Sequence, residues 1–258
     1  LRNAAPQEAA RLGTLQSLHD AATVRHFERL GVAPGWRCAE LGAGAGSVAR
    51  WLADRVGESG SVTAIDRDTS LLKDLGTRPN VTVVEDDLMT MPFGSSCFDL
   101  VHSRSVLMHL ADPDIVVERL VPALAPGGVV YFEEADGAPA QRALSTGELP
   151  APFRDVMVPL AARWTWARTL AARLEALGFL DVHDDVREDL LTGASPAAAF
   201  WRETLENVRP LVTDSARMEA LGRRPVDDAS YDAMITLLDD PSLAVPFAAR
   251  HRVTARRP

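Results

Sequence analysis

Apolar positions along this chain follow two rhythms, one with the period of a helix face and one with the short runs of strands. Over residues 6–30, Leu12, Leu15, Leu18, Ala22, Phe27 and Leu30 share one helix face, and Pro34-Gly35 closes the stretch. From residue 36 the alternation is regular. Strand 36–41 precedes helix 46–56, which Gly57 stops, and strand 61–66 precedes a helix over 69–75 with Asp68 or Thr69 as its N-cap. Strand 81–85 leads through loop 86–97 into strand 98–103, whose continuous apolar tip suits a sheet covered on both faces. Helix 113–124 starts at Pro113 and ends before Pro126-Gly127-Gly128, and strand 129–134 follows. Strands and helices alternating at these lengths give a parallel sheet with right-handed crossovers.

After residue 135 the rhythm changes. Residues 136–152, rich in Pro, Gly and Ala, read as a loop. Helices are expected over 153–161 and 165–177, with Gly178 as a C-cap, and strand 179–187 comes next. Helical stretches over 195–221 and 227–239 precede a last alternating strand, 247–256, so helical cap elements fall between the last two strands.

Chemistry first enters in the run Cys38-Ala39-Glu40-Leu41-Gly42-Ala43-Gly44-Ala45-Gly46-Ser47, a strand, a glycine-rich turn and the start of a helix. Glycines there let the backbone turn sharply and let a ligand approach, while the free N–H groups of the helix face the turn. The second strand ends on Asp66, where an acid binds ribose hydroxyls in folds of this kind. That spacing suits any nucleoside-containing cofactor, NAD included. However, the sixth position of the glycine pattern is Ser47, and Glu40 sets a carboxylate two residues before the first glycine. A pyrophosphate is repelled there, whereas the ammonium and sulfonium of S-adenosylmethionine are attracted.

Composition narrows the classes further. The 258 residues are 47% hydrophobic, enough for one large α/β domain or a domain with a cap. A net charge of −9 argues against a nucleic-acid substrate. The basic cluster Arg250, Arg252, Arg256 and Arg257 reads as a solvated edge strand and tail. Lys73 is the sole lysine among 27 basic residues, a bias of genome composition rather than of chemistry. Two cysteines, Cys38 and Cys97, fit reduced thiols in the cytoplasm better than a disulfide framework. No run approaches the length of a membrane span, and no secretory leader is visible in a sequence that begins at Leu1.

The chain resembles the class I S-adenosylmethionine-dependent methyltransferases, and most of all bacterial small-molecule enzymes of natural-product pathways. The resemblance rests on Glu40-Leu41-Gly42-Ala43-Gly44-Ala45-Gly46, Val62-Thr63-Ala64-Ile65-Asp66, Val84-Glu85-Asp86-Asp87 with Met91-Pro92-Phe93, Phe98-Asp99-Leu100-Val101-His102-Ser103-Arg104, and Leu124-Ala125-Pro126-Gly127-Gly128. Order and spacing match over residues 32–135. It implies a Rossmann-like α/β fold, doubly wound, with a mostly parallel seven-stranded sheet, an antiparallel last strand and a helical lid and cap. Residues 1–31 would form the lid, 32–135 the cofactor-binding core, and 136–258 the rest of the core with the substrate cap.

The same resemblance assigns roles. Gly42, Ala43 and Gly44 would support the methionine part, with Glu40 orienting the loop or the ammonium, and Asp66 would hold the ribose. Arg67 would lie along the adenine. Asp87, five residues before Pro92, would accept from the adenine amino group, with Asp86 as its neighbour and Leu88 covering the base. Ser103 and Arg104 would flank the methyl group, unless Arg104 instead pairs with Glu133 or Glu134. His109 and His102 are the candidates for a base, and Glu133 or Glu134 could reach the pocket. Phe153, Met157, Trp164, Trp166, Phe200 and Trp201 would wall an aromatic or apolar acceptor.

The expected activity is methyl transfer to an O, N or C nucleophile of a small secondary metabolite, without a metal, by a monomer or homodimer. Two other readings stay open. One is a protein of the same fold that binds the cofactor but catalyses another reaction or acts as a partner. The other is a nicotinamide-dependent oxidoreductase, which lacks support from any Tyr-x-x-x-Lys pair.

Overall fold

A computed structural model describes residues 6–147, 149–158, 164–220 and 225–258. Its centre is a seven-stranded sheet in the order β3-β2-β1-β4-β5-β7-β6. The strands are β1 (Arg37–Leu41), β2 (Ser61–Asp66), β3 (Val81–Glu85), β4 (Phe98–Arg104), β5 (Leu124–Asp136), β6 (Leu180–Thr192) and β7 (Ala244–Arg256). Only β7 runs against its neighbours, β5 and β6. Strand β1 pairs in parallel with β2 and β4, which places the carboxyl ends of all three along one edge.

Helices α1 (Pro6–Leu30) and α2 (Ser47–Val56) cover one face. Phe27 of α1 packs with Leu52, Val62, Leu100 and Tyr131 in one apolar cluster. Helices α3 (Pro113–Ala123) and α5 (Leu170–Ala176) cover the other face, where Val116, Leu120, Leu170 and Leu174 meet Val101, Phe132 and Val253. Helix α4 (Ala138–Thr146), a π-turn at Phe153–Met157, α6 (Pro196–Val212), α7 (Ser215–Ala220) and α8 (Asp228–Asp239) build the cap, whose apolar cluster includes Phe153, Met157, Trp164, Tyr231 and Phe247.

Several elements depart from the sequence reading. No helix forms over 69–75. Instead the Asp68 N–H donates to Asp66 Oδ1, the Ser70 N–H to Asp68 Oδ1, and Thr69 bonds Glu85, leaving a 3-10 turn at Leu75–Thr77. These side-chain bonds to the backbone replace the ones a helix would make. The expected loop 136–152 contains α4, started by Pro139 with the Ala138 N–H bonded to Asp136 and stopped by Gly147 at φ 76°. The stretch 195–221 is two helices, α6 and α7, and the expected helix 153–161 runs past the described residues at 159. Strands β5, β6 and β7 are each 13 residues long, longer than the pattern indicated. Finally, β7 is an interior strand, so Arg250 and Arg252 do not sit on a solvated edge. The edge strand on that side is β6.

Candidate functional site

The glycine turn links β1 to α2 at the centre of the carboxyl edge. Gly42, Gly44 and Gly46 all have positive φ, at 68°, 56° and 78°. The turn is tied to β2 twice. The Ala43 N–H donates to the Ile65 carbonyl at 2.9 Å, and the Gly44 N–H donates to Asp66 Oδ2 at 2.8 Å. The second bond, with that from the Asp68 N–H, fixes the Asp66 carboxylate at the strand tip, facing the glycine turn. Next along the edge, Asp87 accepts from the Met89 N–H, and its other oxygen stands 3.9 Å from the exposed Arg67 guanidinium. Asp86 accepts from the Asp87 N–H, and Leu88 is buried against the sheet with its carbonyl bonded by Arg119.

Helix α1 lies across this edge. Leu12 stands over Gly44, close enough that a Cβ there would meet it at 3.6 Å. Asp20 accepts from Ser47 at the start of α2 and from Arg104 at the end of β4. Arg104 also donates to Thr23, so its pairing is with α1 and not with Glu133 or Glu134. Thr23 in turn donates to Glu133.

Beneath α1 a charged row crosses the sheet. His102 is wholly buried, with Nδ1 2.7 Å from Glu40 and Nε2 3.2 Å from Glu133. Burial alone would lower its pKa, but the two carboxylates hold it up at about 9. Burial would likewise raise Glu133, yet His102, Thr23 and Arg104 hold it near 2. His102 is therefore an imidazolium donating from both nitrogens inside the sheet. This corrects the expectation that it serves as a base at the acceptor: its nitrogens are both engaged and its ring is sealed from solvent. Glu40 is its partner and is itself buried, so its contact with a cofactor would be through the loop it anchors.

On the opposite face, Glu134 accepts from Ser103 Oγ and from the N–H groups of Val106, Leu107 and Met108. Burial pushes its pKa up to about 7 against the pull of these bonds. The carboxylate thus holds the turn after β4, which carries His109. His109 is exposed, and its ring lies edge-on to Trp164 at 6.5 Å. Trp164 continues into a cluster with Trp201 and Phe247, and Phe153 and Phe200 join it at 5.4 Å and 5.2 Å between ring centres. Met157 is buried in the same cap cluster. Trp166 stands apart, donating to Asp114 of α3 and packing against the sheet core.

The structure therefore gathers Gly42, Ala43, Gly44, Asp66, Arg67, Asp86, Asp87 and Leu88 along β1–β3, and His109 with the cap aromatics beyond β4. Sequence reasoning missed the α1 clamp through Asp20 and Thr23, and the turn-holding role of Glu134. Strand parity was the available signal for the latter, since Glu133 and Glu134 must point to opposite faces. Among the described residues no cluster of side chains has the makings of a metal site, and no helix is long and apolar enough to cross a membrane.

Residues 39–132 match the protein family described as a methyltransferase domain. A ubiquinone/menaquinone biosynthesis C-methyltransferase of Shewanella piezotolerans is 31% identical over 115 residues, covering 42% of this chain and 46% of the relative. The chain thus aligns with about half the length of that relative. Among solved structures, the cyclase SpnF is similar with a TM-score of 0.57 at 20% identity, over 93% of this chain and 81% of that one. A phosphoethanolamine N-methyltransferase of Haemonchus contortus, solved with S-adenosylhomocysteine, gives a TM-score of 0.54 at 20% identity, over 88% and 49%. These two likenesses establish the fold.

Proposed function

We propose, from the premise that residues 39–132 are a class I S-adenosylmethionine-dependent methyltransferase domain, that the chain transfers a methyl group from S-adenosylmethionine to a small acceptor with an aromatic or apolar body. The observation that carries this reading is the bond between the Gly44 N–H and Asp66 across β1 and β2. It aligns a glycine turn able to take the amino-acid end of the cofactor with a carboxylate able to take both ribose hydroxyls. The Gly44 N–H is taken by Asp66 and so is not free to hold a phosphate, and the Asp66 carboxylate itself faces the turn.

In this reading Gly42, Ala43 and Gly44 hold the methionine part through their backbone, Asp66 grips the ribose, and Asp87, Asp86 and Leu88 surround the adenine. Arg67 lies along the base, and Ser103 and Arg104 end the strand beside the methyl group. The cofactor supplies an electrophilic methyl on a sulfonium. The protein aligns the acceptor atom with that methyl and keeps water away. His109, exposed at the edge of the aromatic cluster, takes the proton that an O–H or C–H acceptor releases, whereas an amine needs only desolvation. Phe153, Met157, Trp164, Phe200 and Trp201 wall the acceptor space. Small secondary metabolites with flat apolar bodies fit such walls, and the free thiols of Cys38 and Cys97 support a cytoplasmic setting for the reaction.

Calorimetric titration with S-adenosylhomocysteine and, separately, NAD tests the reading. Binding of S-adenosylhomocysteine is expected, weakened by Asp66→Ala by about tenfold or more as charge-assisted hydrogen bonds are lost. Binding of NAD alone overturns the reading. Cofactor binding with no methylated product across a wide acceptor panel shifts the assignment to a protein of this fold with another reaction.

A further inference from the structure

We propose that Arg250 is an anion-recognition residue on the acceptor side of the site, and that the acceptor therefore carries a carboxylate or a comparably acidic group. The inference rests on the methyltransferase reading for the identity of the acceptor, but its geometry is independent of that reading.

Three arginines, Arg104, Arg250 and Arg252, project from β4 and β7 into the layer beneath α1. Two have carboxylate partners. Arg104 pairs with Asp20, and Arg252 lies 3.5 Å from Glu133 and 3.6 Å from Asp185. Arg250 has none within ion-pair distance among the described residues. Its contacts are Ser105 Oγ at 3.4 Å from Nη1 and His19 Nε2 at 3.0 Å from Nη2. A guanidinium has five N–H donors in a planar fork, so two neutral contacts leave most of that capacity unused. His19 does not compete for the charge: burial, then Arg250 and Arg104, depress its pKa to about 3, so it stays neutral and accepts. The surroundings disfavour the lone cation. Burial lowers the Arg250 pKa most; Glu133 pulls it up, and Arg104 and Arg252 pull it down again, so the net direction is downward. Across the β6–β7 ladder it also faces another arginine, Arg187. A partly buried cation held in this way gains from an incoming anion, and the fork matches a carboxylate in two-point geometry.

Position assigns the anion to the acceptor. Ser105 is the first residue past β4, and Val106 next to it packs on Gly42, so Arg250 reaches the carboxyl edge beside the glycine turn. Yet β7 lies three strands from β1 in the sheet order, about 14 Å at ordinary strand spacing. The cofactor residues lie on the β1–β3 side, and Arg250 lies on the side of β4 from which the acceptor must approach.

The test uses the full chain with its arginine side chains labelled with nitrogen-15, saturated with S-adenosylhomocysteine and titrated with benzoate or with benzamide as the neutral match. The response compared between variants is saturable benzoate binding read by calorimetry, which in the wild-type chain should also shift the Arg250 Nε–H signal, and benzamide is expected to give neither. Arg250→Gln should abolish the response, and Arg250→Lys, which keeps the charge but not the fork, should weaken it. A benzoate response equal to that of benzamide, or one that survives Arg250→Gln, overturns the proposal. Should the Gln variant not fold, the Lys variant decides: an unweakened response counts against the fork. Affinity for S-adenosylhomocysteine should change by less than about twofold in either variant, whereas a loss of about tenfold assigns Arg250 to the cofactor's own carboxylate and also overturns it. If the wild-type chain does not bind S-adenosylhomocysteine, the methyltransferase reading fails, while the benzoate titration, repeated without it, still decides the anion site.

Discussion

Adding one methyl group at Gly42 tests how tightly the glycine turn is packed. The residue has φ 68°, and a Cβ built there would stand 2.2 Å from Val106 Cγ2 and 2.8 Å from Cγ1. The left-handed backbone costs an alanine about 1–2 kcal/mol. Valine is stiff about its first side-chain torsion, so it cannot turn both methyls away, and the forced shift adds about 1–3 kcal/mol. Gly42→Ala should therefore lose about 2–5 kcal/mol, a fall in Tm of roughly 4–20 °C for a chain of this size. Trimming the neighbour separates the two causes. In Gly42→Ala/Val106→Ala the two methyl clashes are removed, while a 3.0 Å contact with the Val106 Cβ and the backbone cost remain, so the double variant should recover up to about 1–3 kcal/mol relative to the sum of the singles. Urea denaturation of all four proteins gives the cycle, and titration with S-adenosylhomocysteine reports whether the turn still binds. A Gly42→Ala protein as stable as wild type, or a cycle additive to within about 0.5 kcal/mol, refutes the reasoning.

Two further outcomes follow from the buried charges. The pKa of His102 is raised from 6.5 to about 9 on folding, so its stabilising contribution is complete below pH 6.5 and is lost as pH climbs through 9. His102→Gln should lower stability at pH 6 and flatten the alkaline decline seen by thermal unfolding; a decline of unchanged slope would show that the ring is not the titrating group. Glu134, raised from 4.5 to about 7 chiefly by burial, favours the fold at low pH and loses that effect as pH rises through 7. Glu134→Gln turns an amide toward one of the N–H groups the carboxylate accepts from, which should cost about 1–3 kcal/mol. Faster hydrogen exchange over residues 106–109, with lower turnover and little change in cofactor affinity, is the expected signature; unchanged exchange there would count against the turn-holding role.

The parallel half of the fold was legible because each element there obeys a local rule. Strand β4 has an apolar first half in Phe98, Leu100 and Val101, Pro113 starts α3 with Asp112 capping it, and Gly178 reverses the chain after α5. The misread elements are those where a side chain outcompetes the backbone pattern. Asp66 and Asp68 bond the N–H groups of the next turn and undo the helix that the spacing over 69–75 favours. In the opposite sense, Pro and Gly in 136–152 suggested a loop, yet Pro139 and Gly147 stand at the start and just past the end of α4, where those residues promote helices.

The site divides along the same line. Its cofactor half lies in short segments at strand ends, so order and spacing located it. Its other half depends on contacts between residues far apart in the chain, such as Asp20 with Arg104, Thr23 with Glu133 and His19 with Arg250. Spacing carries no trace of these, but parity does. Once β4, β5 and β7 are interior neighbours, the alternation puts His102 and Arg104, Tyr131 and Glu133, and Arg250 and Arg252 on one face. A face so charged cannot be an ordinary packing layer, since each ion there must find a partner or bear the cost of desolvation. Its charges are matched through α1 and the neighbouring strands until, among the described residues, Arg250 is left without a carboxylate in ion-pair distance, and that residue is the one for which a ligand is the natural complement.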